Sequence, residues 1–311
     1  MEMQVSKEYM MTDLNKNVTR DGRPFIKAVM VDEEGTQYNS IMFDSNKLDF
    51  EPEVGLIVHV EGGLQQYAGQ TQLKINMMRL CEGADPSDFL PRSGLDAEAM
   101  LEELKRIVYE YVKTDYLTAF LDKFFADEEL MERFMKSPAA KSVHHAYING
   151  LLEHTLSVTK IAVMMGRYYK NKANIEHLIF GALFHDIGKI YELKTAPGFD
   201  YTDSGKLMGH LIQGIQLFRS IADGIDNFPD DVKDLVSHLV ASHHGYLEFG
   251  SPQVPKTVEA MILHHIDDID AKMNTFYSIF NKEEVEEGWT SYDRLLERQL
   301  FRHPYRSGGE R

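Results

Sequence analysis

A histidine and an aspartate stand side by side where an apolar run ends, in Gly181-Ala182-Leu183-Phe184-His185-Asp186-Ile187-Gly188-Lys189. Burying such a pair is costly unless a cation holds both side chains. The same side-chain types recur at matching places along the chain. His154 lies on the face formed by Leu151, Thr155, Val158, Ile161, Ala162 and Met165. His185 and Asp186 follow Ala182 by three and four residues and extend the stripe of Ile175, Leu178 and Ile179. His210 begins a stripe continued by Gly214, Leu217, Phe218 and Ile221, and His243 and His244 extend that of Val232, Leu235, Val236, Leu239 and Val240.

One histidine on an apolar face is ordinarily a satisfied core residue. Five unpaired imidazoles in one interior would cost a domain more than its net stability. A metal site is therefore expected, built from His154, His185, Asp186, His210, His243 and His244. Imidazole and carboxylate donors without thiolate suit manganese, iron, nickel or zinc, with no basis in the sequence for choosing among them. One carboxylate amid several imidazoles would bridge two ions. A further acidic ligand is expected from His264-His265-Ile266-Asp267-Asp268-Ile269-Asp270. Periodicity favours Asp268, in line with Val258, Met261, Ile262 and His265, but the face of Ala260, Leu263, His264 and Asp267 is nearly as apolar.

The elements that must carry these groups fall into two regions. Residues 1–24 read as a polar lead-in ending in the turn Arg20-Asp21-Gly22-Arg23. Short β runs follow at Phe25–Val31, Gln37–Phe43, Gly55–Val60 and Thr71–Arg79, separated by glycine- and proline-bearing turns that include Gly62-Gly63. They predict a small barrel of OB-fold type. Tyr38, Phe43 and Tyr67 are either stacking platforms for bases or the rim and core aromatics of an ordinary barrel. Cys81–Leu95 reads as an interdomain linker, and the remainder as helix. The first three helices are expected over Asp96 onward with Met100, Leu101, Leu104, Ile107 and Val108 inward, over Asp115–Phe125 and over Glu128–Met135. The expected division is an OB-fold domain at 1–82, a linker with connecting helices at 83–135, and an all-α metal-binding domain at 136–311.

The net charge of −16 provides no broad positive field for nucleic acid or anionic membrane; bound metal would have to supply positive charge at a phosphate-processing site. A single cysteine, Cys81, excludes an intrachain disulfide and suits a reducing compartment. No run of eighteen apolar residues occurs, and Met1–Met10 lacks a signal-peptide pattern. A cytoplasmic protein without membrane association is expected.

The spacing His154, His185-Asp186, His210, His243-His244 and an aspartate near 267 resembles the HD superfamily of metal-dependent phosphohydrolases, in its binuclear subset. A closer resemblance lies in Pro138-Ala139-Ala140-Lys141, His144-His145-Ala146-Tyr147 and Gly150-Leu151-Leu152-Glu153-His154-Thr155. With Gly69–Ile75, Asp88-Phe89-Leu90-Pro91 and Trp289-Thr290-Ser291-Tyr292, this stretch is similar to the 3′-to-5′ exoribonucleases of the YhaM type, which join an OB-fold to an HD domain. Asn149 departs from the pattern, where that family usually has a second glycine.

The resemblance implies Asp267 rather than Asp268 as the closing ligand. It also implies two divalent ions bridged by Asp186, one completed by His154, His185 and Asp267 and the other by His210, His243 and His244. Manganese is the expected ion, with iron, nickel, cobalt or zinc as alternatives. Lys189 is either a phosphate contact or a lysine complementing its helix dipole, and His145 either a proton donor or phosphate contact or a packing residue. The implied function is hydrolysis of single-stranded RNA, with single-stranded DNA a second substrate, to nucleoside 5′-monophosphates. An HD phosphohydrolase or cyclic-nucleotide phosphodiesterase would carry the same site. A non-enzymatic binding protein with a vestigial site would have lost a ligand. Acidic nucleases also assemble into dimers or rings, so a homo-oligomer is an expectation, with the helices of 100–135 the place to look for its interface. The four-residue spacing of Arg294, Arg298, Arg302 and Arg306 on a last helix-like segment reads as a solvated face interleaved with Asp293 and Glu297, with an RNA contact as the alternative.

Overall fold

The computed structural model describes residues 3–67, 70–141, 147–195, 199–294 and 296–304. His144 and His145 lie outside the described residues.

Five strands close into a barrel in the order β1-β2-β3-β5-β4: β1 Met3–Val18, β2 Pro24–Val31, β3 Gln37–Phe43, β4 Ile57–Tyr67 and β5 Gln70–Leu80. The pairing of β3 with β5 is parallel and the others antiparallel, the five-stranded Greek-key closure of an OB-fold. The expected polar lead-in is in fact β1. Its first half pairs with β4 and its second with β2, with a register shift between Met11 and Asp13. Tyr9, Met10 and Met11 are buried in succession, which removes the alternation by which a strand is read from sequence. Gly62-Gly63 is likewise no turn; it lies within β4, where a Cβ on Gly62 would stand 2.2 Å from the Lys74 carbonyl oxygen.

At the barrel's rim Asp32 is 1% exposed; it accepts a hydrogen bond from Lys7 Nζ at 2.7 Å and from the Thr36 amide at 2.8 Å. Burial opposes its ionisation, but these bonds hold its carboxyl below the ordinary range. A depressed folded pKa stabilises above the unfolded value of about 3.9 and is lost as the pH falls through the folded one. Barrel stability is therefore expected to fall steeply below about pH 4. Acid titration of Asp32→Asn should lack that component, and an unchanged acid limb would refute the assignment.

The linker is packed rather than free. Phe89 and Leu90 bury against Met10 and Ile57 of the barrel and against Ile148, whose amide donates to the Pro91 carbonyl at 2.7 Å. Helices α1 Ala97–Tyr111, α2 Asp115–Phe125 and α3 Glu128–Lys136 follow, with all five inward residues of α1 buried as expected. Their apolar faces share one core with α4 Gly150–Tyr168, α5 Ile175–Phe184, α7 Asp203–Ala222 and α8 Asp230–Ser242, centred on Phe120, Phe124, Phe184 and Phe218. No large apolar residue of α1–α3 is exposed among the described residues.

The short α6 Lys189–Glu192 runs into the two-residue strands β6 Leu193–Lys194 and β7 Asp200–Tyr201, and α9 Val258–Lys282 closes the bundle. The expected last helix is absent among the described residues. Beyond Lys282 the chain forms the two-residue ribbon of β8 Gly288–Trp289 and β9 Phe301–Arg302, with Glu297 at positive φ. Arg302 turns back to donate to the Val285 carbonyl and covers the Phe280 ring. Arg306 lies outside the described residues.

Candidate metal centre

Asp186 sits in the turn between α5 and α6, 2% exposed, with ligand-type side chains carried by α4, α7 and α9 and by the C-terminal ends of α5 and α8 around it. His154 Nε2 and His185 Nε2 each stand 3.5 Å from its Oδ2, and His210 Nε2 and His243 Nε2 each 3.5 Å from its Oδ1. Asp267 Oδ1 lies 3.2 Å from His154 Nε2 and 3.8 Å from His185 Nε2. Two groups have donor atoms mutually within 4.8 Å: His154, His185 and Asp267, and His210, His243 and His244. One carboxylate thus faces a trio on each side. Asp268, which periodicity favoured, instead pairs with Lys272 at the surface. Helix α9 is packed on α4, α5 and α8 through Ala260, Leu263 and Ile266, and that face carries Asp267 inward.

Each of the five imidazoles has its outer nitrogen engaged. The Nδ1–H of His185 donates to Ala182 O at 2.8 Å, that of His243 to Val240 O at 2.8 Å, and that of His244 to Phe249 O at 3.1 Å. His154 Nδ1–H donates to Asp270 Oδ2 at 2.7 Å and His210 Nδ1–H to Glu192 Oε1 at 3.1 Å. Every ring therefore turns Nε2 to the interior, where it is a ligand lone pair once the ring is neutral. His210 Nε2 and Asp186 Oδ1 are buried without a hydrogen-bond partner among the described residues. Donors about 2.1 Å from a shared ion stand roughly 3–3.5 Å apart, the spacing of the imidazoles from Asp186 and of His154 from Asp267; His185 stands 3.8 Å from Asp267. The donor chemistry of both groups fits divalent cations, which His154, His185 and Asp267 and, separately, His210, His243 and His244 could hold.

The electrostatics agree with that fit. Burial pushes the pKa of His185 and His243 down, and burial with the neighbouring His243 and His210 pushes that of His244 down to about 4. Burial opposes ionisation of Asp186 as well, but Lys189, 2.6 Å away, and His185 hold its carboxyl well below the ordinary range. His154 is the exception: against the effect of burial, Asp267 and Asp270 push its pKa up to about 10. The carboxylates around it attract positive charge strongly.

Glycines set the spacing. A Cβ on Gly188 would lie 2.0 Å from the His210 carbonyl oxygen, so only glycine lets the turn after Asp186 abut α7. Helix α7 is broken at Gly209, φ 72°, and restarts at His210, whose amide donates to Glu192 Oε1 at 3.0 Å. Glu192 thus caps the restarted helix and orients the imidazole together. Asn149 occupies the left-handed region, φ 69°, before α4; asparagine tolerates what glycine adopts freely, which accounts for the departure noted in the sequence.

Asp270 and Glu192 were missed in the sequence. Asp270 lies one helical turn beyond Asp267, a signal that could have found it, whereas Glu192 is tied to His210 only through the kink. Such outer partners ordinarily carry about 10–100-fold in metal affinity or activity. Glu192→Gln is expected to weaken binding of the divalent ion that His210 would hold by about that factor, and metal titration of the full chain should resolve the weakened step. Two unaltered binding steps would rule out the orienting role.

Lys189, His243, His244, Asp267, Tyr246 and Phe249 line one cleft of about 480 Å³ with Asp186. On the barrel, Tyr38 meets buried Tyr9 edge-on at the core margin, whereas Phe43 and Tyr67 are exposed. Tyr67 borders a second groove of about 370 Å³ with Asn15, Lys27, Asn39 and Gln72.

Fold and site define an HD-domain protein with an appended OB-type barrel: the HD domain family matches residues 151–272, from the start of α4 into α9. The chain is 31% identical over 309 residues to the 3'-5' exoribonuclease YhaM of Geobacillus sp. (strain WCH70), a match covering 97% of this chain and 92% of that protein. The YhaM proteins of Oceanobacillus iheyensis and Bacillus subtilis (strain 168) are 33% and 30% identical, over 83% and 87% of this chain and 81% and 86% of theirs. The chain belongs to the YhaM family. No helix among the described residues is long and apolar enough to cross a membrane.

Proposed function

We propose that this protein is a metal-dependent 3′-to-5′ exoribonuclease that removes nucleoside 5′-monophosphates from single-stranded RNA, with single-stranded DNA as a second substrate. The observation that carries the reading is the pair of three-residue donor groups on opposite oxygens of Asp186, in a chain of the YhaM family. His154, His185 and Asp267 would hold one divalent ion and His210, His243 and His244 the other, with Asp186 shared and manganese the expected metal. Two such ions would polarise the phosphate oxygens and lower the pKa of a water positioned for in-line attack.

The protein's own groups supply the rest. Asp270, Glu192 and three backbone carbonyls hold the imidazoles in one tautomer, so no reorganisation is needed when substrate enters. Lys189 places its ammonium on the cleft wall beside Asp186, where it can meet a non-bridging phosphate oxygen. Attack by water at phosphorus breaks the bond to the 3′-oxygen of the preceding nucleotide. The phosphate departs on the released nucleotide and the shortened chain keeps a 3′-hydroxyl. His145 is proposed either as a proton donor to that oxygen or as a phosphate contact. The barrel, with Phe43 and Tyr67 exposed, would guide the strand, and the division at 82 and 135 is proposed on the same basis.

The test is a time course on 5′-labelled single-stranded RNA in manganese, beside Asp186→Asn and a chelator control. A ladder of shortening labelled fragments, absent from both controls, is expected. Intact RNA together with hydrolysis of a generic phosphodiester would move the assignment to a small-molecule phosphodiesterase.

A further inference from the structure

We propose that Tyr246 and Phe249 form the seat on which the base of the 3′-terminal nucleotide stacks, beside the metal centre; the inference rests on the nuclease reading above. Both rings line the 480 Å³ cleft that holds Asp186, Lys189, His243, His244 and Asp267. Tyr246 is 53% and Phe249 62% exposed, so both rings keep open surface for a further ring to stack on.

Their loop is built to hold them. Gly245 is at φ 81° and approaches α9 so closely that a Cβ would stand 2.2 Å from the His264 ring. Gly250, at φ 82°, closes the other end. The Tyr246 amide donates to His244 O at 3.0 Å, and buried Ser251 donates from Oγ to Ala241 O at 2.8 Å. The Tyr246 ring is braced at 5.6 Å by both Phe249 and His264, near perpendicular to each. The Phe249 carbonyl accepts the Nδ1–H of His244. The aromatic pair and a proposed metal ligand therefore belong to one rigid unit, and a base seated on the rings is held in a fixed relation to the metal-binding trio.

The chemistry suits an enzyme that shortens a strand one nucleotide at a time. Every base has a π-face, so stacking holds each successive terminal nucleotide without selecting among sequences. A ligand without a planar base would gain nothing from the pair.

The test uses the full-length manganese-loaded protein and two RNAs identical except at the 3′-terminal nucleotide, which is adenosine in one and an abasic ribose in the other. Wild type is expected to release the abasic terminus with kcat/KM about 5- to 150-fold lower, chiefly through KM. Phe249→Ala and Tyr246→Ala should each bring that ratio substantially toward one while retaining bound metal, and Phe249→Tyr should preserve it. Equal rates on both RNAs in wild type, or a full ratio in both alanine variants, would overturn the proposal. So would variants that alter only self-association in sedimentation, which would make this patch, with exposed Leu247, a contact between copies. Failure of wild type to shorten the adenosine-ended RNA would instead remove the nuclease reading and the inference with it.

Discussion

Asp186→Asn is expected to bind one divalent ion where two are proposed for the wild type, and to lose activity on RNA by on the order of 10⁴-fold or more, because each ion would contribute several kcal/mol of transition-state stabilisation. The direction of the loss follows from the neighbours of the two oxygens. Lys189 Nζ stands 2.6 Å from Oδ2 and would repel an amide NH₂ there. The asparagine oxygen therefore takes the Oδ2 position, and its NH₂ faces His210 and His243, which lie 3.5 Å from Oδ1. Two N–H donors then point at the Nε2 lone pairs that would hold the second ion. The trio of His154, His185 and Asp267 keeps an oxygen ligand and the other trio does not. Elemental analysis after dialysis against manganese, together with the RNA time course, reads both effects. Two retained ions, or a rate within tenfold of wild type, would refute the bridging role.

Gly188→Ala is expected to cost about 3 kcal/mol of stability, the upper range for forcing an extra methyl into a packed interior. Its Cβ would meet backbone, 2.0 Å from His210 O and 2.6 Å from Gly214 N, so no side-chain rotation relieves the clash. Helix α7 must move away from the α5–α6 turn and carry His210 away from Asp186. The expected result is a midpoint of thermal unfolding lower by roughly 6–12 °C, with weakened binding of one ion. Gly94→Ala is the matched control: a Cβ there meets nothing within 4 Å, and its φ is unexceptional. A Gly188→Ala protein with the stability and metal content of the control would mean that the turn and α7 separate at no cost.

The ligand-type residues were legible because the information is local. A helix that buries one stripe must turn inward whatever lies in register with it, so His154, His185, Asp186, His210 and His243 could be placed in the interior from spacing alone. The strands β2 and β3 were legible as short runs of β-branched and aromatic residues between turn signals, which are local too. Local reasoning failed where a residue's environment comes from elsewhere. Strand β1 buries three residues in succession because it serves two neighbours, and the arginine spacing after Glu283 matched a helical period in a segment that forms a ribbon.

The sequence by itself determined that several imidazoles and carboxylates must share a buried space, since apolar periodicity leaves those side chains nowhere else to go. Only the tertiary structure decided how they are grouped. The crossing of α4, α5, α7, α8 and α9 divides the donors into two trios around one carboxylate and turns Asp267 inward while Asp268 pairs at the surface. The same packing brings Glu192 to His210 across a kink, because the distance between side chains on different helices depends on how those helices pack and not on their separation along the chain.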